Sequence, residues 1–361
     1  RSLAAPAKPA PVLTTPEARD VLTYARPKIA RVTHVDLDLV ADFEAKEMQG
    51  TATLDILAAP GAKDIVLDDN GLVIDRITDA KGNPLKWSVG KRDEEKGAPL
   101  TVQLYGQKRI VIRYRSMPDA SALQWLPPAL TAGKAKPFLF SQGQSINNRS
   151  WIPTQDSPGI RQTWTARITV PEGLVAVMSG LRTTPKGVPA GKGKRAYSFA
   201  MDKPVPPYLI ALAIGDLTFQ PLGKRTGVWA EPATIGKAAA ELADTEKMVE
   251  TAEALYGRYR WGRYDVLVLP PSFPYGGMEN PTLTFATPTF ITGDKSNVSL
   301  IAHELAHSWS GNLVTNATWS DSWLNEGFTT YFENRIMEKL YSRDRAVMET
   351  DLDWDGMQRD I

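Results

Sequence analysis

Four residues in the second half of the chain have the types and spacing of a metal site with a built-in base. His303 and His307 are four positions apart, so on a helix their imidazoles project from one face. Imidazole nitrogen is a good zinc ligand, and Glu326 supplies an oxygen as a third ligand from a second predicted helix. Glu304 adjoins the first histidine, where a general base for a water on the metal belongs. Three protein ligands plus one water predict one catalytic Zn²⁺ per chain.

The motif from His303 to His307, taken alone, also fits a plain polar helix face, because short histidine motifs occur by chance. The chain has three histidines, and two of them are in this motif. Apolar residues 300–302 precede the first histidine, which indicates a buried helix, and burying unpaired polar groups is costly. These observations favour the metal site. The third histidine, His34, lies in a strand-like segment and is not predicted to be a ligand.

A second group of residues, Gly276-Gly277-Met278-Glu279-Asn280, precedes the histidines. A tight glycine turn is one explanation of it. Alternatively, the two glycines let an extended substrate backbone approach closely, and Glu279 faces the ammonium group of the substrate. A buried carboxylate in that place would restrict binding to free N-termini, because substrates lacking the partner charge are rejected.

The elements that must position these residues fall into two parts. Residues 32–39, 51–57 and 163–170 alternate apolar and polar side chains, which is typical of half-buried strands. We therefore predict an all-β N-terminal saddle or sandwich domain at 29–216. Helices are predicted at 237–256, 296–311 and 324–341, with buried strands at 208–215 and 265–269. Strands that alternate with helices predict an α/β domain at 217–361.

Composition limits the class of protein. The 361 residues favour two domains, and the net charge of +1 gives no indication of nucleic acid as a partner. The chain has no cysteine, so its metal ligands must be nitrogen and oxygen. No apolar run approaches the ~18–20 residues of a membrane span. Residues 1–28 form a Pro/Ala-rich segment of the linker type. Such a segment fits the N-terminus that remains after removal of an export signal, which favours a periplasmic or secreted location over a cytoplasmic one.

Taken together, these motifs resemble the zinc metallo-aminopeptidases of the gluzincin clan, nearest the leukotriene hydrolase branch, with aminopeptidase N more distant. The resemblance runs from about residue 32 to the end, and segments 141–145, 151–156, 270–275 and 323–327 carry it besides the two motifs. It implies a thermolysin-like catalytic domain behind the β domain, one zinc ion, and peptide substrates with a free N-terminus.

The resemblance also implies roles for residues around the metal. Gln142, Gln144 and Tyr275 would line the pocket for the first substrate side chain, with Gln144 near the amine. Glu333 would orient a histidine ligand from behind. The alternatives are a polar loop for the two glutamines and a solvated helix charge for Glu333. The complete set of predicted substrate-binding residues is Gln142, Gln144, Tyr275, Gly276, Gly277, Met278 and Glu279.

The chain departs from the family in its last part. Family members carry a later tyrosine that hydrogen-bonds the developing oxyanion, followed by a helical C-terminal domain. Tyr331 and Tyr341 come too early to match that tyrosine. We expect an N-terminal portion of a longer protein, with a catalytic domain incomplete at its C-terminus. Three functions remain open: aminopeptidase, which we favour, a non-catalytic peptide-binding relative or inactive fragment, and a lipid epoxide hydrolase.

Overall fold

The computed structural model describes residues 19–360, so most of the predicted Pro/Ala-rich segment lies outside the described residues. Its first part is built from strands. They are β1 (Ala30–Asp42), β2 (Glu47–Ala58), β3 (Asp64–Asp69), β4 (Val73–Asp79), β5 (Trp87–Val89), β6 (Ala98–Gln103), β7 (Arg109–Arg115), β8 (Leu123–Leu126), β9 (Phe138–Ser141), β10 (Gln162–Pro171), β11 (Val175–Met178), β12 (Leu181–Arg182), β13 (Val188–Pro189), β14 (Lys194–Val205) and β15 (Leu212–Gly215).

These strands form three sheets. The largest has the order β12-β14-β10-β1-β2-β7-β4 with β13 added against β14, and the others are β11-β15-β9-β8 and β3-β6-β5. In β1, Val35, Leu37 and Leu39 are fully buried, whereas Asp36 and Asp38 between them are exposed. This is the period of two that the sequence predicted, with the apolar face of the sheet turned to the core.

The second part mixes strands and helices. Its elements are β16 (Thr218–Pro221), β17 (Thr226–Ala230), α1 (Ile235–Glu241), α2 (Thr245–Tyr256), β18 (Tyr264–Val268), β19 (Gly277–Met278), β20 (Leu283–Ala286), α3 (Ser299–Ala306), α4 (Ser322–Leu340) and α5 (Arg343–Asp360). The sheet order is β16-β17-β18-β20-β19, with β18 parallel to both neighbours. All of β18 is buried, as expected for the centre of such a sheet. Within the described residues, no helix is both long and apolar enough to span a bilayer.

The helix predicted at 237–256 is wrong in its middle, because it is two helices. The break places two carboxylates against the loop after β20: Glu241 accepts from the backbone N–H of Gly293 and Lys295, and Asp244 pairs with the Lys295 ammonium at 2.6 Å. These tertiary hydrogen bonds outweigh the helical propensity of the segment. Helix α5 was not predicted.

The strand predicted at 208–215 is shorter than expected. Its first residues form a 3₁₀ turn, Pro207–Leu209, and β15 begins only at Leu212. The N–H groups of Leu209 and Ile210 donate to the carbonyls of Pro206 and Pro207, and that of Ala211 donates to Ser179 Oγ. They are therefore not available to a neighbouring strand, which explains the late start. Strands of the β-rich part end with β15 at Gly215 and the mixed sheet begins at Thr218, while the domain boundary at 216/217 stays a prediction.

Candidate metal centre and substrate cavity

Helices α3 and α4 pack against each other and bring the predicted ligands together. Helix α3 ends at Ala306, one residue before His307, but His307 keeps helical backbone angles and its N–H donates to the His303 carbonyl at 3.2 Å. The four-residue spacing therefore still places both imidazoles on one side. The two Nε2 atoms are 3.2 Å apart, and Glu326 Oε2 lies 3.4 Å from that of His303 and 3.6 Å from that of His307.

These distances fit a tetrahedral metal ion. Zinc bonds of ~2.0–2.1 Å to nitrogen and oxygen give a ligand-to-ligand distance of about 3.4 Å. A second set of donors, from Glu279, Glu304 and His307, also lies within 4.8 Å of one another. We assign the ligands to His303, His307 and Glu326 because the Nε2 atoms of both histidines lie within 3.6 Å of Glu326 Oε2. Glu304 then remains as the carboxylate that can act as the base.

Hydrogen bonds behind the imidazoles fix which nitrogen faces the metal. His303 Nδ1 lies 2.9 Å from Glu333 Oε2, the contact predicted for that glutamate. His307 Nδ1 lies 3.0 Å from Asn325 Oδ1 and 3.1 Å from the Ser310 carbonyl. All three partners are acceptors, so each Nδ1 carries a proton, and Nε2 is the nitrogen that would bind the metal.

The surroundings of the two histidines shift their pKa values in opposite directions. Burial by itself lowers the pKa of His303, but hydrogen bonds to Glu326 and Glu333 outweigh it and raise the pKa to about 11. Burial lowers the pKa of His307, which is almost fully enclosed. Metal ligands must be deprotonated, so binding of the cation would release the proton held at His303.

Glu304 is buried directly against the glycine motif. Burial raises its pKa well above the ordinary value, His303 opposes this, and the charges of Glu279, Glu326 and Glu333 add to the rise. A cation bound next to it would favour the ionised form, which is the form a general base needs.

Gly277 adjoins Glu304 so closely that any larger residue would force the Glu304 side chain to move. A Cβ at this position would lie 2.3 Å from Glu304 Oε1, well inside van der Waals contact. The second glycine of the motif therefore gives the base its space. This adds to the predicted role of letting a substrate backbone approach.

A cavity of about 840 Å³ opens over the metal ligands. It includes most of the predicted substrate-binding residues, and its charged residues, histidines apart, are all carboxylates. The lining residues are Gln144, Tyr275, Gly276, Gly277, Glu279, Thr287, Thr289, Phe290, Asn297, Ser299, Leu300, His303, Glu304, His307, Glu326, Thr330, Glu333 and Asp353. Such a lining favours substrates that bring a positive charge.

Two predicted substrate-binding residues lie behind this wall. Gln142 and Met278 are buried and do not line the cavity, and Gln142 Nε2 is 3.2 Å from Met278 Sδ. The short β19 turns Met278 into the protein while its neighbour Gly277 faces Glu304. A substrate contact by either side chain stays a prediction.

Glu279 is buried at the inner end of the cavity and held from two sides. The Tyr208 hydroxyl donates to its Oε1 at 2.7 Å, and Asn312 Nδ2 donates to its backbone carbonyl at 2.8 Å. Burial and the Glu279 charge raise the pKa of Tyr208 well above its ordinary value, while a hydrogen bond from Asn325 acts in the opposite direction. The phenol therefore stays a donor to the carboxylate.

Sequence reasoning missed several residues that complete the site. Asn325 falls in the segment 323–327 that carries the family resemblance, but neither it nor Ser310, Asn312 or Thr329 was predicted to support the site. Thr329 Oγ1 lies 3.1 Å from His307 Nδ1 and donates to the Asn325 carbonyl at 2.8 Å. The spacing of four between Asn325 and Thr329 was a usable indication, since both face α3 from one side of α4. Tyr208 had no such local indication.

Comparison with protein families gives two matches. The model of the Peptidase M1 N-terminal domain matches residues 31–209, and that of the Peptidase family M1 domain matches residues 240–360. Leukotriene A-4 hydrolase from Xenopus laevis is 41% identical over 349 residues, covering 95% of this chain and 57% of the relative. Leucine aminopeptidase 2 from Yarrowia lipolytica is 41% identical over 348 residues, covering 95% and 53%. The chain thus spans about half the length of the curated relatives it matches.

Solved structures agree with the fold. Native leukotriene A4 hydrolase from Saccharomyces cerevisiae superposes with a TM-score of 0.87 at 37% identity, covering 96% of this chain and 55% of that one. An M1 zinc metallopeptidase from Deinococcus radiodurans gives a TM-score of 0.69 at 27% identity, covering 90% and 74%. The predicted fold class, an all-β domain followed by a catalytic α/β domain, is confirmed.

The family matches and the geometry of the ligands point to the same metal. Two nitrogens and one oxygen at tetrahedral spacing fit zinc, and the similar bacterial structure is described as a zinc metallopeptidase. The predicted cofactor is therefore confirmed as zinc. The two family models match separate parts of one chain that together make up most of its length, and the chain belongs to peptidase family M1.

Proposed function

We propose that this protein is a zinc aminopeptidase that removes residues from the free N-terminus of peptides. The observation that supports this best is the place of Glu279. Its carboxylate lies within 4.8 Å of donor atoms on both Glu304 and His307, at the buried end of the cavity. An ammonium group held there leaves room for about one residue before the metal, so only the first peptide bond reaches it.

The residues divide the chemistry between them. His303, His307 and Glu326 would hold the zinc ion, which would supply acidification of a water molecule and polarisation of the scissile carbonyl. Glu304 accepts the proton of the attacking water and delivers it to the leaving amine. Glu279 binds the substrate ammonium, and this aligns the bond to be cut with the base.

Turnover of leucine p-nitroanilide tests this proposal. We expect activity in the purified protein, loss of activity with a chelator and recovery on adding zinc. N-acetylleucine p-nitroanilide lacks the ammonium, and its kcat/KM should be lower by at least about 100-fold, since a buried carboxylate left unpaired is costly. Equal turnover of both substrates would exclude the proposed role of Glu279.

Two other functions remain to be separated from this one. One similar relative is named leukotriene A-4 hydrolase, which makes hydrolysis of a lipid epoxide the second candidate. The site carries all three ligands and the base, which argues against a non-catalytic peptide binder. An assay with a lipid epoxide beside the peptide assay distinguishes the hydrolases, and zinc-dependent turnover of neither substrate would favour the binder.

A further inference from the structure

Tyr208 reaches the metal site from the β-rich part of the chain. It lies in the 3₁₀ turn Pro207–Leu209, ahead of β15. Asn148 Nδ2 donates to the carbonyls of Pro207 and Ile210, at 2.7 and 2.9 Å, and so anchors both ends of this turn. The backbone that carries Tyr208 is thus fixed by hydrogen bonds that do not involve the α/β part.

The ring of Tyr208 is fixed as well. It is 1% exposed and packs edge-to-face on Trp319, with ring centroids 4.9 Å apart. Trp319 begins the short turn before α4, the helix that carries Glu326. The hydroxyl of Tyr208 is therefore placed by both parts of the molecule, and its hydrogen bond to Glu279 Oε1 is short and buried.

We propose that Tyr208 is a positioning residue for recognition of the substrate amine. By occupying one lone pair of Glu279 Oε1, its hydroxyl holds the carboxylate in one rotamer, with the remaining lone pairs directed to an ammonium beside the metal. Asn312 fixes the backbone of the same glutamate. A carboxylate ordered before the substrate arrives loses less entropy on binding, which improves affinity. This inference rests on the proposed function.

Replacement of Tyr208 by phenylalanine removes the hydroxyl and keeps the ring. The ammonium is bound in the ground state and in the transition state alike, so the loss should appear mainly in KM. For Tyr208→Phe we expect KM for leucine p-nitroanilide to rise about 10-fold, with kcat changed less, given the strength of a hydrogen bond to a charged group.

Binding of two hydroxamates separates amine recognition from support of the metal. Both leucine hydroxamate and acetohydroxamate offer a metal-binding group, but only the first has an α-amine. We expect Tyr208→Phe to weaken leucine hydroxamate about 10-fold in calorimetry and to leave acetohydroxamate unchanged. Tyr114→Phe is the matched control, because Tyr114 is equally buried and donates to the Trp151 carbonyl at 2.8 Å within the β-rich part. It should change neither affinity.

The outcomes are distinct. Unchanged affinity for leucine hydroxamate, or equal weakening of both hydroxamates, overturns the role of Tyr208 and leaves the proposed function standing. If the wild-type protein binds leucine hydroxamate no more tightly than acetohydroxamate, amine recognition itself is overturned, and the proposed function with it. Should Tyr208→Phe fail to fold, 4-aminophenylalanine at 208 keeps a weaker donor. This variant should then reduce the affinity for leucine hydroxamate relative to acetohydroxamate by about 3-fold, and an unchanged ratio would again overturn the proposal.

Discussion

Individual atoms around Glu304 leave little freedom for substitution. The carboxyl group lies against the backbone of Gly277, and it is the group that takes the proton in the proposed reaction. His303, next to it in sequence, is held by Glu333 through Nδ1. At the residue scale, metal binding and proton transfer are therefore separable, since they use different side chains.

The separation predicts two different defects. Glu304→Gln should retain zinc and lose at least about 100-fold in kcat, because the amide cannot accept the proton. Glu326→Ala should lose zinc, because one of three protein ligands is gone. Zinc content by atomic absorption and turnover by the p-nitroanilide assay measure the two effects. Wild-type turnover in Glu304→Gln would show that another group is the base.

A methyl group at position 277 should displace the base without touching the ligands. In Gly277→Ala the new Cβ would overlap Glu304 Oε1, and a shift of ~1 Å in a catalytic group costs about 100-fold in rate. Gly276→Ala is the control, since its Cβ would meet the flexible end of Leu300 at 3.0 Å. We expect kcat to fall in the first variant far more than in the second, with zinc content equal in both.

At the scale of elements, the site depends on how α4 lies against α3. Helix α3 carries His303, and His307 directly follows its last residue. Helix α4 supplies the third ligand together with the groups that orient the other two: Glu333 for His303, and Asn325 for His307. Residues 326 and 333 are seven apart, so they share one face of α4. A single helix face thus carries a ligand and the support for another ligand.

This arrangement predicts that Glu333→Ala weakens zinc without removing a ligand. Loss of a group that orients a metal-bound histidine costs about 10- to 100-fold in metal affinity. A competition titration with a zinc chelator measures the change. Glu338→Ala on the same helix is the control, because Glu338 pairs with Arg335 and does not line the cavity. Similar zinc affinities in the two variants would assign Glu333 to the solvated helix surface.

At the scale of the whole molecule, the β-rich part contains an ion cluster with more negative than positive charge. Arg149 lies 3.5 Å from Asp156 and 3.8 Å from Asp68, and none of the three is more than 1% exposed. Asp68 also accepts from the backbone N–H of Tyr24, which ties the start of the described chain to the sheets. Burying two carboxylates with one guanidinium is costly unless one takes up a proton.

Stability should therefore depend on the protonation of Asp156. Burial raises its pKa to about 6, against the opposing effect of Arg149. A raised pKa means that the folded state binds the proton more tightly, so this stabilisation is complete below about pH 4 and is lost as pH rises through 6. The wild-type protein should therefore lose stability relative to Asp156→Asn as the pH rises. Between pH 4 and pH 7 the difference in their free energies of unfolding should shift by about 2–3 kcal/mol in favour of the variant.

Urea unfolding at several pH values measures this gain. Asp202→Asn is the control, because Asp202 is 84% exposed and its pairing with Lys203 is solvated. Asp202→Asn should change the free energy of unfolding little at every pH. A difference between Asp156→Asn and wild type that does not change with pH would show that Asp156 stays ionised in the folded protein.

The sequence by itself determined which residues we propose as ligands and base, and it contained the glycine motif. These features are local: a spacing of four on a helix sets the direction of His303 and His307 whatever surrounds them. Strand alternation was local in the same way, and it identified β1, β2 and β10. The extents of helices were less well determined, because contacts such as that of Asp244 with Lys295 ended them early.

Only the tertiary structure decided which side chains face the cavity and which support it. Gln142 and Met278 lie behind the wall, and Tyr208 meets Glu279 from 71 positions away in the chain. A contact at such a separation leaves no periodic pattern in the sequence, because it depends on how the β-rich sheets pack against the α/β part. The sequence therefore specified the chemistry at the metal, and packing between the two parts specified how the amine-binding carboxylate is held.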